Sequence, residues 1–444
     1  MADNVFPSEI VKPISIFMIK SIKIMVYAFL KVWVNWTIRI FFRKINTSGI
    51  ENVPEGKALL LASNHPNGFV EPITMACLFP RALHFLVRGD VFEKPGARGI
   101  MERTNQIPIF RFKDGFENLR KNNKSIEISL KKLQEGEAIL IFVEGGTKAQ
   151  KRLRPLQKGL SRIAFQVLEK DSDLQLDILP VGLNYFDNTK FRSESILSVG
   201  EPMSANEYYE KYKDDVNNGI RTLTKDISGQ IKKNVIHLDD LNDTGLLNNL
   251  LLLRKAVQNH SILPIVSNDN HSIKADKNIA NELNVREENE KKTWLDKSKA
   301  IIEKYGHKSL LNRYHSRNSL FVNTLLILLL AVPAFVGLLI NAIPFFGGYF
   351  IANATAKKSI FYMSIWLSAF SLLSISFYLV ATIVSCLIVG WIGLLILLGI
   401  PFFTITMIWL DRWNEMQSQI SLGSKRPKAI TEIKELFKEL NLGL

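Results

Sequence analysis

Ala58-Leu59-Leu60-Leu61-Ala62-Ser63-Asn64-His65-Pro66-Asn67-Gly68-Phe69-Val70-Glu71-Pro72 is the stretch from which the fold is read. It opens on a short unbroken apolar run, as a buried strand does, and passes at once into turn-forming residues. Similar runs recur at Leu83–Val87, Ala138–Val143 and Ile178–Gly182, whereas Asp114–Gln134 and Gly159–Glu169 carry helical spacing. Strands alternating with helices between Thr47 and Met203 predict an α/β layered fold.

Such sheets hold their ligands at strand ends, and four strand-end segments carry candidate chemistry. In the first, His65 follows the strand. A neutral imidazole takes a proton from an alcohol near neutral pH, and a carboxylate on its other nitrogen, with Glu71 as the nearby candidate, fixes the tautomer. The same residues also suit a solvated turn. In the second, Phe142-Val143-Glu144-Gly145-Gly146-Thr147 precedes Lys148, Lys151, Arg152, Arg154 and Lys158. Its glycines let backbone N–H groups approach an anion, and the cations would neutralise a phosphate. A strand-to-helix turn with a solvated basic face accounts for it equally. The third is Ile107-Pro108-Ile109-Phe110-Arg111, whose Arg111 offers a planar fork matched to phosphate oxygens and is otherwise an ordinary surface arginine. The fourth is Leu179-Pro180-Val181-Gly182, with Tyr185, Phe186 and Phe191-Arg192-Ser193 beyond it.

The 444 residues carry a net charge of +14, which calls for a polyanionic neighbour, nucleic acid or anionic lipid. The last third chooses lipid: no charged residue lies between Arg317 and Lys357, nor between Lys358 and Asp411. No nucleic-acid recognition motif accompanies the charge. The second apolar run divides near Gly390 into Ser359–Ser385 and Val389–Leu410, a helical hairpin. The first, Ser319–Ala356, is interrupted by Pro333, Asn341, Pro344 and Gly347-Gly348, and reads as one crossing plus an interfacial piece or as a re-entrant hairpin. Basic flanks at Arg313, Arg317, Lys357, Lys358, Lys425, Arg426 and Lys428 favour a segment that enters and returns, with the large domain and the tail on the cytoplasmic side. Residues Ile14–Ile45, with recurring lysines and with Trp33 and Trp36, predict a basic amphipathic helix or helix pair lying on a membrane. Cys77 and Cys386 are far apart, which supports neither a disulfide framework nor a cysteine metal cluster.

In order and spacing the four segments resemble the motifs of the glycerol-phosphate and lysophosphatidate acyltransferases, from about Phe42 to Met203. Gly49-Ile50-Glu51-Asn52-Val53-Pro54 is similar to that family's leading strand, Asn64-His65-Pro66-Asn67 to its first motif, and Phe142 to Thr147 to its third, usually Phe-Pro-Glu-Gly. The block Arg154-Pro155-Leu156-Gln157-Lys158-Gly159, with Asn184-Tyr185-Phe186, looks closest to the yeast-type glycerol-3-phosphate and dihydroxyacetone-phosphate acyltransferases. The resemblance implies a mixed sheet flanked by helices. It also implies His65 as general base, Glu71 as its orienting carboxylate, and Arg111 with the Glu144-Gly145 turn as binders of the acceptor's glycerol phosphate. Asn67, Gly146, Thr147 and Lys158 join that substrate-binding set, and Pro180 and Gly182 belong to the acyl-donor site. Two positions depart from the family: five residues separate His65 from Glu71 where the family has four before an Asp, and Val143 replaces the motif proline.

The sequence therefore predicts membrane-surface helices over 1–46, an acyltransferase domain over 47–204, a helical extension over 205–318, membrane helices over 319–411 and a basic cytoplasmic tail over 412–444. The expected reaction is acyl transfer from an acyl thioester, either acyl-CoA or acyl carrier protein, to glycerol 3-phosphate in phospholipid synthesis, on the cytoplasmic face of a bilayer and with neither metal nor cofactor. The alternatives are a lysophosphatidate or other lysophospholipid acyltransferase, and a catalytically decayed membrane lipid-binding protein.

Overall fold

The computed structural model describes residues 8–110, 120–187, 189–258, 266–268, 270–311, 320–357 and 359–443. Among them nine strands form one mixed sheet: β1 (Phe42–Ser48), β2 (Ala58–Ser63), β3 (Leu83–Arg88), β4 (Gln106–Ile109), β5 (Ala138–Phe142), β6 (Leu176–Tyr185), β7 (Ser193–Val199), β8 (Met203–Ser204) and β9 (Val266–Asn268). Their order is β4-β3-β5-β2-β6-β7-β1-β9, with β8 also paired to β6. β2 lies between β5 and β6, parallel to both, with Leu61 opposite Leu140 and Leu179. β6 pairs antiparallel with β7 and β8.

The apolar run of β2 has no polar face because both of its faces are covered. Leu60 and Ala62 pack beneath the helices Gly159–Lys170 and Val216–Lys232, while Leu59 and Leu61 share a core with Met75 and Phe79 at the helix Val70–Leu78. That arrangement places the C-terminal end of β2 and the start of the Val70–Leu78 helix side by side.

Several elements differ from the expectation. The sheet begins at Phe42, and Gly49–Pro54 is no strand: Gly49 takes a left-handed conformation under the carbonyl of Val199, and Ile50–Asn52 form a single tight turn. The N-terminal segment is one helix, Ser8–Phe41, running directly into β1. Its Trp33 and Trp36 point into the apolar bundle, the indole N–H groups donating to Ser371 O at 3.2 Å and Thr404 Oγ1 at 3.1 Å, while Met25, Phe29 and Val32 are left exposed. The extension is not wholly helical either, since Val266–Asn268 adds an edge strand to β1 and the Ser267 hydroxyl donates to Asn46 Oδ1 at 2.6 Å. The expected tail from residue 412 is not a free segment: it starts inside the helix Gly399–Leu422 and ends in a docked helix, Arg426–Glu439, with Ile433 and Phe437 buried among Leu250, Leu253 and Leu283 of the extension.

Leu320–Ala356 is a single helix of 37 residues and does not enter and return. Pro333 and Pro344 stand inside it, each at the cost of one backbone bond in a segment packed against its neighbours. Asn341 joins the layers by donating to Gly399 O at 3.0 Å and accepting from the Tyr378 hydroxyl at 3.0 Å. The second run breaks at Gly390 as expected, giving helices Tyr362–Val389 and Gly399–Leu422 with a tight helical turn, Gly390–Leu398, between them. By length and composition, Leu320–Ala356 and the stretch that starts at Tyr362 are each able to cross a membrane. Their outward faces are apolar and exposed, among them Leu328, Val332, Leu339, Leu387 and Trp391.

One buried arginine fastens this bundle to the sheet. Arg192 donates from Nε to Asp411 Oδ1 at 3.2 Å, grips the other carboxylate oxygen through Nη2, and spends Nη1 on the carbonyls of Arg39, Ile40 and Phe42.

Candidate active site

The site is assembled where β2 and β5 end. The Asn64 amide donates to Leu183 O at 2.9 Å and accepts from Leu183 N at 2.7 Å, so the residue before His65 is clamped to β6. At the end of β5 the Val143 N–H donates to Ser63 O at 3.0 Å. A proline there has no N–H to give, so the departure from the family motif extends the ladder by one bond.

Glu144 follows, buried, with both oxygens occupied: Oε2 accepts the His65 N–H at 2.9 Å and Oε1 the Arg154 N–H at 2.8 Å, and the Arg154 guanidinium lies 3.3 Å from Oε2. The Lys148 N–H donates to His65 O at 3.3 Å. The backbone of His65 is thereby held from both sides by Glu144 and Lys148 of the segment that follows β5. Its ring stacks on Phe142 with centroids 4.0 Å apart and planes 15° apart.

Nδ1 of His65 lies 3.1 Å from Oε2 of Glu71, in the first turn of the Val70–Leu78 helix. Within the spacer Gly68 adopts φ +65°, a left-handed conformation suited to glycine. Glu71 is fully buried; burial pushes its carboxyl above the usual carboxylate range, opposed by the bond to His65 and by the backbone N–H groups of Glu71 and Asn67. The Tyr185 hydroxyl is buried near Glu71, and burial followed by the charge of Glu71 raises it well above its ordinary value, which keeps it protonated. Tyr185 and Ser195 face each other across the β6–β7 pair.

The remaining expected site residues fall into distinct places. Gly145 takes φ +69°, with the Gln157 side chain where a Cβ would stand, and the Gly146 carbonyl is held by Arg154. Thr147 is half-buried, and Lys148, Arg152 and Lys158 are exposed. Asn67 is fully buried and its carbonyl accepts the Ser364 hydroxyl at 2.6 Å. Pro180 and Gly182 are not brought to His65: they lie on the sheet face opposite the Val70–Leu78 helix, Gly182 against the backbone of Asn234, and the Pro180 carbonyl accepting Gly200 N at 2.8 Å. Lys151 leaves the basic run, its ammonium turned to the carbonyls of Tyr185 and Phe186 and pushed by burial down to about 8. Arg111 lies outside the described residues. Ring stacking by Phe142 and the hydroxyls of Tyr185, Ser195 and Ser364 went unread in the sequence, since each depends on a neighbour distant along the chain.

The Acyltransferase family model matches residues 44–184. An uncharacterized acyltransferase of Schizosaccharomyces pombe is 38% identical over 84 residues, 19% of this chain and 12% of that protein. Glycerol-3-phosphate O-acyltransferase 2 of Saccharomyces cerevisiae is 34% identical over 92 residues, 20% of this chain and 12% of that protein. The chain thus spans about an eighth of the length of these curated relatives. Among solved structures, the 1-acyl-sn-glycerophosphate acyltransferase of Thermotoga maritima aligns over 46% of this chain and 82% of its own at 15% identity, with a TM-score of 0.33. The stretch that the Acyltransferase family model matches contains the His65 loop, Glu71 and the Phe142–Thr147 segment, so the match and the site coincide on one part of the sheet.

Proposed function

We propose that this chain is a membrane-bound O-acyltransferase that moves a fatty acyl group from an acyl thioester, of coenzyme A or acyl carrier protein, to glycerol 3-phosphate, with dihydroxyacetone phosphate as a related acceptor. The observation that carries this reading is the 3.1 Å contact between His65 Nδ1 and the buried Glu71 carboxylate, at the end of the central strand and beside the apolar bundle.

In this mechanism Glu71 keeps the proton on Nδ1, and Nε2 takes the proton of the acceptor hydroxyl. The alkoxide attacks the thioester carbonyl, the carbon–sulfur bond breaks, and the imidazolium returns its proton to the departing thiolate. The acyl group passes directly between substrates, with neither a covalent enzyme intermediate nor a metal. The exposed Lys148, Arg152 and Lys158, the N–H groups of Gly145 to Thr147, and Arg111 are the groups proposed to meet the acceptor phosphate. Glu144 serves by holding the loops, because both of its oxygens are already bonded. Basic flanks place the catalytic domain on the cytoplasmic side in this reading.

The test is acyl transfer by the purified full chain in bilayer nanodiscs with glycerol 3-phosphate, dihydroxyacetone phosphate and lysophosphatidate in competition. Glycerol 3-phosphate is expected to be used best. Exclusive use of lysophosphatidate reassigns the acceptor, and transfer to none of the three points to a decayed lipid-binding domain.

A further inference from the structure

The five residues between His65 and Glu71 are secured at their ends by the catalytic domain, but in the middle by the membrane bundle. The Ser364 hydroxyl, 1% exposed in the first turn of the Tyr362–Val389 helix, donates to the carbonyl of Asn67 at 2.6 Å. Gly68 faces Phe361 so closely that a Cβ would stand 2.6 Å from its ring. The Phe69 and Phe361 rings lie 6.4 Å apart, and Val70 shares a buried core with Met363 and Leu367. Four consecutive spacer residues thus meet the N-cap and first two turns of one apolar helix.

We infer that the first turn of the Tyr362–Val389 helix is a seat for the His65–Glu71 spacer, and that Ser364 and Phe361 are positioning residues for acyl transfer. The inference rests on His65 acting as the base. A loop one residue longer than the family spacing has an extra pair of backbone torsions to fix, and a loop free to flex spends part of its time with Glu71 away from Nδ1. Ser364 fixes the carbonyl of Asn67, and Phe361 fills the space over Gly68, which holds the pair at bonding distance. The competent geometry is therefore completed by the membrane part of the chain.

The test uses the full chain in nanodiscs. Ser364→Ala is expected to lower kcat about tenfold, the worth of roughly one hydrogen bond, with both KM values within about twofold of wild type. The acid limb of its kcat profile should move to higher pH, because a Glu71 carboxylate held less often beside Nδ1 loses the contact that opposes its upward shift. Ser364→Thr keeps the hydroxyl and should recover most of the rate, and Phe361→Ala should lower kcat in the same direction. A lowered Tm with unchanged kcat per folded enzyme makes Ser364 merely structural and overturns the inference, as does a wild-type pH profile in Ser364→Ala. If His65→Ala is inactive while Ser364→Ala is normal, only the seat falls; if His65→Ala is active, the catalytic reading falls first.

Discussion

One carboxylate, that of Glu144, accepts the backbone N–H of His65 at 2.9 Å and that of Arg154 at 2.8 Å, tying the imidazole-bearing loop to the segment that follows β5. Glu144→Gln presents an amide N–H₂ to one of those two donors. The expected result is a stability loss of about 1–3 kcal/mol, that of an unsatisfied buried donor, together with a fall in kcat that leaves the acceptor KM close to wild type. A selective rise in the acceptor KM would return Glu144 to direct phosphate or glycerol binding.

Removing the base is the most direct test of the chemistry. His65→Ala should reduce turnover at least about a hundredfold while leaving expression and membrane insertion intact. Glu71→Gln keeps the size but not the charge and should cost less, and Glu71→Asp should also cost rate, because the 3.1 Å contact is made with the longer side chain. Since burial holds the Glu71 carboxyl above the usual range, activity that needs its carboxylate is lost as pH falls through that raised value. Tyr185→Phe makes the surroundings of the Glu71 carboxylate less polar and should shift the acid limb to higher pH. Stopped assays across pH 5–8 read both effects.

Much of this arrangement was legible because β2 and β5 are covered on both faces and so are written as unbroken apolar runs. Glu144 stands directly after the second run and His65 two residues after the first. The same double burial hid which way β6 faces: with apolar residues on both sides, nothing marks Pro180 and Gly182 as lying away from His65. Pro333 and Pro344 look like helix breaks in isolation, but neighbouring helices let Leu320–Ala356 continue through them. Val266–Asn268 is too short and too polar to carry a strand pattern, and it is ordered by pairing with β1. The saturation of Glu144 was beyond reach because its partners are brought in by the fold.

Asp411 and Arg192 are both nearly inaccessible, with side-chain exposures of 7% and 8%. Asp411→Asn leaves a buried guanidinium without its counter-charge and should cost about 3–5 kcal/mol, visible as a lower Tm in detergent. Arg192→Lys should fail to rescue, because one ammonium cannot reach Asp411 and the carbonyls of Arg39, Ile40 and Phe42 together. A Tm within a degree of wild type for either variant would show that the sheet and the bundle are joined elsewhere.

Lys151 makes stability depend on alkaline pH. Burial lowers its ammonium from 10.5 to about 8, so between those values the unfolded chain holds a proton that the folded chain has released. Stability then rises with pH across that window. Lys151→Met lacks this term, and wild type should gain about 2 kcal/mol on it between pH 7.5 and 10. A constant difference between the two melting curves would place the ammonium in contact with water.

The hydrogen bond from Ser364 to Asn67 spans 297 positions of the chain. At about 5–20 residues per second, the ribosome needs roughly 15–60 s to travel from one partner to the other. Through that interval the nascent His65 loop has emerged without its last support, and the loop gains it only when the apolar helices have been made and packed. Order of synthesis thus acts as a timer that ties completion of the His65 loop to the arrival of the apolar helices.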